Sequence, residues 1–208
     1  METTLIPSAS PQALERALQV LASGGLVAFP TDTVYGLGAL AFQPTAVEGL
    51  YQAKGRSMEK AIPVLIGDPQ ELVRVAGVVP PLAEQLAARF WPGPLTLVVP
   101  KHPDLPSAIS ASGTVGVREP DHPLARALLL RAGPLAVTSA NLSGAESPTT
   151  AEQVLSQLGG RVALILDGGR TPGGVPSTVV DCLGAEPRIL REGALSKEQI
   201  LTFLSKNL

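Results

Sequence analysis

Short apolar runs alternate with helix-start signals along almost the whole length of this chain, and that alternation admits few architectures. Residues 26–29, 62–66, 95–99, 115–117, 135–137, 162–166, 179–180 and 189–190 are apolar runs too short for helices and bounded by turn residues, so each predicts a strand. Between them stand helical patterns. Ser10-Pro11 precedes Leu14, Leu18 and Leu21 and is closed by Gly24-Gly25. Thr45 with Glu48 predicts a capping box before Leu50 and Tyr51. Asp68-Pro69 with Glu71 opens another helix, and Pro80-Pro81 begins one running to Phe90. Thr150 with Gln153 and Ser196 with Gln199 repeat the capping-box start near the C-terminus. Strands alternating with helices predict an α/β sheet flanked by helices, and the close spacing of the last strands makes that sheet mixed. Neither an internal repeat nor a linker interrupts the pattern, so residues 1–208 are expected to form a single domain.

Composition sets outer limits. With 208 residues, 45% hydrophobic and 16% charged, the chain carries enough apolar matter for one sizeable core and too much for disorder. A net charge of -2 gives no general positive field for nucleic acid, so any anion site must be local. The 21 Gly and 20 Pro follow no period and read as tight turns. Cys182 is the single cysteine and His102 and His122 the only histidines, which excludes an internal disulfide and a cysteine metal cluster and suits a reducing compartment. No basic leader opens the chain and no apolar run approaches the ~20 residues that cross a bilayer. A soluble cytoplasmic protein without membrane contact is the expectation, and the Asn141-Leu142-Ser143 glycosylation match is then incidental.

Two nucleotide motifs fail on inspection. Gly49 to Ser57 resembles a Walker loop, but Lys54 and Gly55 are transposed and the segment follows a helix instead of a strand. Gly36-Leu37-Gly38-Ala39-Leu40-Ala41 fits the loose dinucleotide pattern without a helix opening at its glycines. Nucleophile-elbow and zinc-protease motifs are absent, as is a convincing carboxylate pair.

What remains is a concentration of polar residues directly after predicted strands, where open α/β sheets bind ligands. Thr31 to Gly36 follows one strand and Thr138 to Gly144 another. Asx and hydroxyl turns account for either loop taken singly. Cations lie near both: Lys54, Arg56 and Lys60 form a basic stretch in a loop interrupted by Gly55, with Arg118 and Arg191 each ending a strand. Guanidinium and ammonium groups so placed suit carboxylate or phosphate.

Taken in order, GGLVAFPTDTVYGLG, the Lys54-Gly55-Arg56 segment, FWPGPLTLV, GTVGVREPDHP, TSANLSG, PSTVVD and ILREGAL resemble the YrdC-like family, over about residues 24–195. The resemblance implies a twisted mixed sheet with a cationic concave groove, in the short form that lacks an added C-terminal domain. It also implies the family's best-characterised activity, synthesis of L-threonylcarbamoyl-AMP and pyrophosphate from L-threonine, bicarbonate and ATP. A partner tRNA threonylcarbamoyl transferase complex would then modify the adenosine beside the anticodon, while direct contact with tRNA is weakly supported. Carried over position by position, Thr33, Arg118, Thr138 and Ser177 would bind threonine. Arg56, Lys60, Thr114, Ser139, Asn141 and Arg191 would surround ATP, and Lys54 would lie between the two near bicarbonate or phosphate, with Lys54 and Arg56 as the catalytic pair. Leu65 departs from the pattern, because some members have His there.

Such chemistry explains the missing His, Cys or carboxylate catalyst. Both nucleophiles belong to substrates, and the protein has only to align reactants, exclude water and neutralise phosphate charge. Mg²⁺ carried with ATP is expected, without a metal cage in the protein. Two other readings stay open: a carbamoyl-AMP-forming module, disfavoured by the absence of the accompanying acylphosphatase-like and zinc-finger segments, and a non-catalytic RNA-binding or ribosome-assembly protein, disfavoured by charge and by 3% aromatics. Among single residues, Trp91 is expected in the core, His122 at a helix entry and Cys182 as a buried small hydrophobe. Asp32 either makes an Asx turn or orients an ammonium or Mg²⁺.

Overall fold

The structure, a computed structural model, describes residues 2–173 and 175–206. The single-domain expectation also covers residues 1, 174, 207 and 208, which lie outside the described residues. In chain order the strands are β1 (Thr4–Pro7), β2 (Val27–Pro30), β3 (Tyr35–Leu40), β4 (Val64–Leu65), β5 (Leu95–Pro100), β6 (Thr114–Arg118), β7 (Leu135–Ser139), β8 (Leu164–Asp167), β9 (Thr178–Asp181) and β10 (Arg188–Arg191). The helices are α1 (Ala13–Ala22), α2 (Pro44–Lys54), α3 (Leu72–Val75), α4 (Pro81–Phe90), α5 (Pro123–Ala132), α6 (Ala151–Leu158) and α7 (Lys197–Ser205). The expected mixed α/β sheet is present, ten strands in the order β1-β8-β2-β3-β7-β4-β6-β5-β9-β10. Its C-terminal pair, β9 and β10, is antiparallel as the spacing predicts.

Local signals decide several boundaries. Thr150 and Ser196 each accept from the backbone N–H three residues on, and Gln153 and Gln199 close the reciprocal bond, so both predicted capping boxes form. The Thr45 box does not. Pro44 occupies the first turn, its fixed φ already suited to a helix, which moves the N-cap back to Gln43 and draws Thr45 inside. The helix expected at Asp68 begins as a 3-10 turn, Pro69–Glu71, with the Asp68 carboxylate accepting from Gln70 N. Only Val64 and Leu65 of the 62–66 run pair as strand. Two elements went unread in the sequence, β1 and β3, and of α5 only the entry at His122 was read.

The two faces of the sheet are covered unequally, and this creates the site. On one face α2, α3, α4, α6 and α7 bury a cluster that includes Leu95, Leu97, Val115, Val117 and Val180. On the other, α1 and α5 supply Ala13, Ala17, Leu21, Ala125, Leu128 and Leu129, packed on Val27, Phe29, Leu65, Leu135, Val137, Leu164 and Leu166. That second cluster contains no residue of β5, β6 or β9. Because strand side chains alternate, the opposite parity of those strands, Thr96, Val98, Gly116, Arg118 and Val179, is free to line a cavity. Burial of apolar area at about 25 cal/mol per Å² therefore stabilises one face throughout and leaves part of the other for ligand.

Candidate active site

The cavity has a volume of about 660 Å³ and lies at the edge of the α1/α5 layer. Its floor is Thr96, Val98, Gly116 and Val179. One wall is the turn after β2 with the end of β7: Thr31, Thr33, Val34, Gly36, Val137, Thr138 and Ser139. Pro176, Ser177, Arg191, Arg56, Glu146, Ser147 and Thr149 also line the cavity. A Cβ at Gly116 would crowd Thr96 Cγ2 at 3.0 Å and take space from the cavity that Gly116 lines.

Arg118 terminates β6 and is buried, with 7% of its surface exposed. Its Nε donates to Gly93 O at 3.0 Å, Nη1 to Thr33 Oγ1 at 3.3 Å and Nη2 to the Asp32 carboxylate. Burial pulls its pKa below the usual guanidinium value, Asp32 opposes that shift, and it remains a cation. The turn supporting it is itself bonded: Thr31 Oγ1 donates to Val34 O at 2.7 Å and accepts from Thr33 N at 3.2 Å. Across the cavity Arg191 donates from Nε and Nη2 to Ser177 O, and the Ser177 hydroxyl is hydrogen bonded to Thr96 Oγ1 at 2.8 Å. Arg56 donates to Lys60 O and Ala61 O and is half-buried.

Of the residues singled out in the sequence, Thr33, Arg56, Arg118, Thr138, Ser139, Ser177 and Arg191 come together around the cavity. Lys54, Lys60, Thr114 and Asn141 are not among its lining residues. Lys54 is not in a loop but is the last residue of α2, which Gly55 ends in the left-handed conformation, φ 59°. Its buried ammonium donates to the carbonyls of Ser139 and Asn141, tying the loop after β7 to the helix end. Burial, with a smaller contribution from the Arg56 charge, lowers the Lys54 pKa to about 8. Lys60 has an exposed side chain, and the Thr114 hydroxyl bonds Ser112 at 2.9 Å. Asn141 Nδ2 donates to Leu142 O and Ala145 O, while its Oδ1 is buried without a hydrogen-bond partner. Thr96, Gly116 and Glu146 were missed; only the alternation of β5 and β6 carried a signal for the first two. Trp91 is buried with Nε1 donating to Leu95 O, His122 is the N-cap residue of α5, and Cys182 is wholly buried. Among the described residues, no group of three His, Cys, Asp or Glu side chains gathers to hold a metal ion.

A sheet with part of one face left bare, and three guanidinium groups around that opening, defines an α/β protein suited to small anionic ligands. The family model Sua5/YciO/YrdC, described as "Telomere recombination", matches residues 19–193, and the chain belongs to that family. A threonylcarbamoyl-AMP synthase of Bacillus subtilis is 48% identical over 190 residues, 90% of this chain and 55% of that protein. A putative threonylcarbamoyl-AMP synthase of Mycobacterium tuberculosis is 44% identical over 199 residues, 95% of this chain and 92% of that protein. The chain thus spans about half of the first relative and nearly all of the second. Among solved structures, Pyrococcus abyssi Sua5 complexed with L-threonine superposes with a TM-score of 0.89 at 43% identity, covering 92% of this chain and 57% of that one.

Proposed function

We propose that this protein is an L-threonylcarbamoyladenylate synthase, joining L-threonine, bicarbonate and ATP into L-threonylcarbamoyl-AMP with release of pyrophosphate. The observation that carries the reading is the set of cations lining one cavity: Arg118, held by Asp32, Thr33 and Gly93 O, together with Arg56 and Arg191. Arg118 takes the threonine carboxylate, with Thr33, Thr138 and Ser177 offering hydroxyls to the amino acid. Arg56 and Arg191, with Ser139, face the phosphates, and Mg²⁺ enters with the nucleotide as part of the substrate. Lys60, Thr114 and Asn141 lie outside the cavity lining, and the family resemblance alone assigns them to the nucleotide.

The threonine amine adds to the carbon of bicarbonate and water leaves, giving a carbamate. A carbamate oxygen then attacks the α-phosphorus, the bond from that phosphorus to the bridging oxygen breaks, and pyrophosphate departs with the electron pair. Positioning and charge neutralisation supply the acceleration. Lys54 acts from behind the wall, holding the carbonyls of Ser139 and Asn141 so that the loop after β7 keeps its shape against the nucleotide. The product serves a tRNA threonylcarbamoyl transferase complex in the cytoplasm; no helix among the described residues is long and apolar enough to cross a membrane.

Pyrophosphate release with each substrate omitted in turn tests this. Release should require ATP, L-threonine and bicarbonate together. Equal release without threonine would mean a simple ATPase or use of carbamoyl phosphate, and the proposal would fall.

A further inference from the structure

Asp32 has no place among the ligand-binding residues above, yet it is the carboxylate that meets Arg118, and the side chains are only 13% and 8% exposed. We propose that Asp32 is a positioning residue: it acts through Arg118, fixing the plane of the guanidinium and supplying its counter-charge so that the site is set for a ligand carboxylate before the ligand arrives. This rests on the reading of Arg118 as the carboxylate station.

The geometry carries the argument. A guanidinium has five N–H donors in one plane. Three of those on Arg118 go to Gly93 O, Thr33 Oγ1 and Asp32, from three different nitrogens. One hydrogen on each Nη is thereby left for a ligand, in a plane that cannot rotate without breaking all three bonds. Each anchor is itself fixed. Gly93 N donates to Glu119 O at 2.9 Å, one residue beyond Arg118, and Thr33 is held by the Thr31 turn. Other charges facing the pair are Arg191, which repels Arg118, and His122, whose imidazole lies in the field of Asp32. A buried cation left without its partner is strongly destabilised, so Asp32 compensates Arg118 in the empty site as well as orienting it. Preorganisation of this kind lowers the ordering cost at binding.

A double-mutant cycle read by calorimetry with L-threonine, and separately with ATP, tests the assignment. Asp32→Ala should weaken L-threonine binding at least ~tenfold while changing ATP binding less than ~twofold, and should add nothing in an Arg118→Ala background. Asp32→Asn keeps an oxygen acceptor without charge; it should give a smaller loss of the same selectivity and serves if the alanine variant does not fold. Additive losses would show that Asp32 touches the ligand on its own account and would overturn the inference. So would unchanged threonine affinity with a lowered Tm, the signature of a merely structural ion pair. A wild-type protein that binds no L-threonine would remove the functional reading and this inference together, whereas additivity with normal wild-type binding removes this inference alone.

Discussion

Arg191 donates from Nε and Nη2 to the carbonyl of Ser177 at 3.2 and 2.8 Å, closing a fork between the end of β10 and the residue that leads into β9. The same Nη2 reaches Ser177 Oγ at 3.3 Å, so one guanidinium fixes both the backbone and the hydroxyl of a cavity wall. Two residues on, the chain passes so close to that wall that a Cβ on Gly193 would lie 2.2 Å from Pro176 O and 2.6 Å from Ser177 C.

Gly193→Ala should therefore be severe despite its small size. The colliding atoms are backbone, which cannot swing aside, and any accommodation moves Ser177 off Arg191 and Thr96. The expected outcome is a loss in kcat/KM beyond ~tenfold together with a lowered Tm. Wild-type kinetics and stability would show that the 176–177 segment does not form this wall.

Arg56→Ala and Arg191→Ala should each lower kcat/KM at least ~tenfold, since charge-assisted hydrogen bonds to a ligand are commonly worth ~1.5 to 3 kcal/mol. The Arg191 variant should also lower kcat/KM for threonine, because it releases Ser177, whereas the Arg56 side chain hydrogen bonds the 60–61 backbone. Folded variants with near-wild-type kinetics would move the nucleotide site elsewhere.

Much of this architecture was legible in the sequence because it depends on neighbours in the chain. The boxes at Thr150 and Ser196 close within one helical turn, and Arg118 and Arg191 end their strands as the apolar runs indicate. Tertiary packing hid the rest. β3 reads as a loop because glycines alternate along it, yet each is required: a Cβ on Gly36 would meet Val137 Cγ1 at 2.7 Å, and one on Gly38 would meet Phe29 Cε1 at 2.9 Å. The entry of α5 at His122-Pro123 was legible, but its extent was not, because exposed Leu130 blurs the apolar stripe. Asp32 lies 86 positions from Arg118, and no local pattern could separate an ion pair from an Asx turn. The Lys54 segment was read as a basic loop because its glycine looked like a breaker; the glycine is instead the cap of a helix whose last side chain turns inward.

That buried lysine makes stability depend on alkaline pH. Its folded pKa, about 8, lies below the reference value of 10.5, so between these values the unfolded chain holds a proton that the native protein has released. Stability rises with pH wherever the unfolded state binds more protons. The neutral amine still has two N–H groups for the carbonyls of Ser139 and Asn141, so the clamp survives deprotonation. Measured against Lys54→Met, which cannot titrate, wild-type protein should gain unfolding free energy from about pH 8 to about pH 10.5 and show a flat difference below that window. A difference that shrinks with rising pH would mean that the charged form is the one the fold favours.

The choice of amino acid tests the two halves of the cavity against each other. Leu65 and Val137 give it an apolar side, while Thr33, Thr138 and Ser177 bring hydroxyls. Serine differs from threonine by one methyl, a difference such a pocket turns into only ~1 to 3 kcal/mol, whereas valine keeps the shape and loses the hydroxyl, leaving polar partners unpaired. Serine should consequently be the better substitute, below threonine but above valine in kcat/KM. On the proposed assignment of Arg118 to the amino-acid carboxylate, Arg118→Ala should raise the KM for threonine far more than that for ATP. Valine used as well as serine, or an Arg118→Ala variant weakened toward ATP alone, would show that the amino-acid and nucleotide ends of the cavity are the reverse of those assigned.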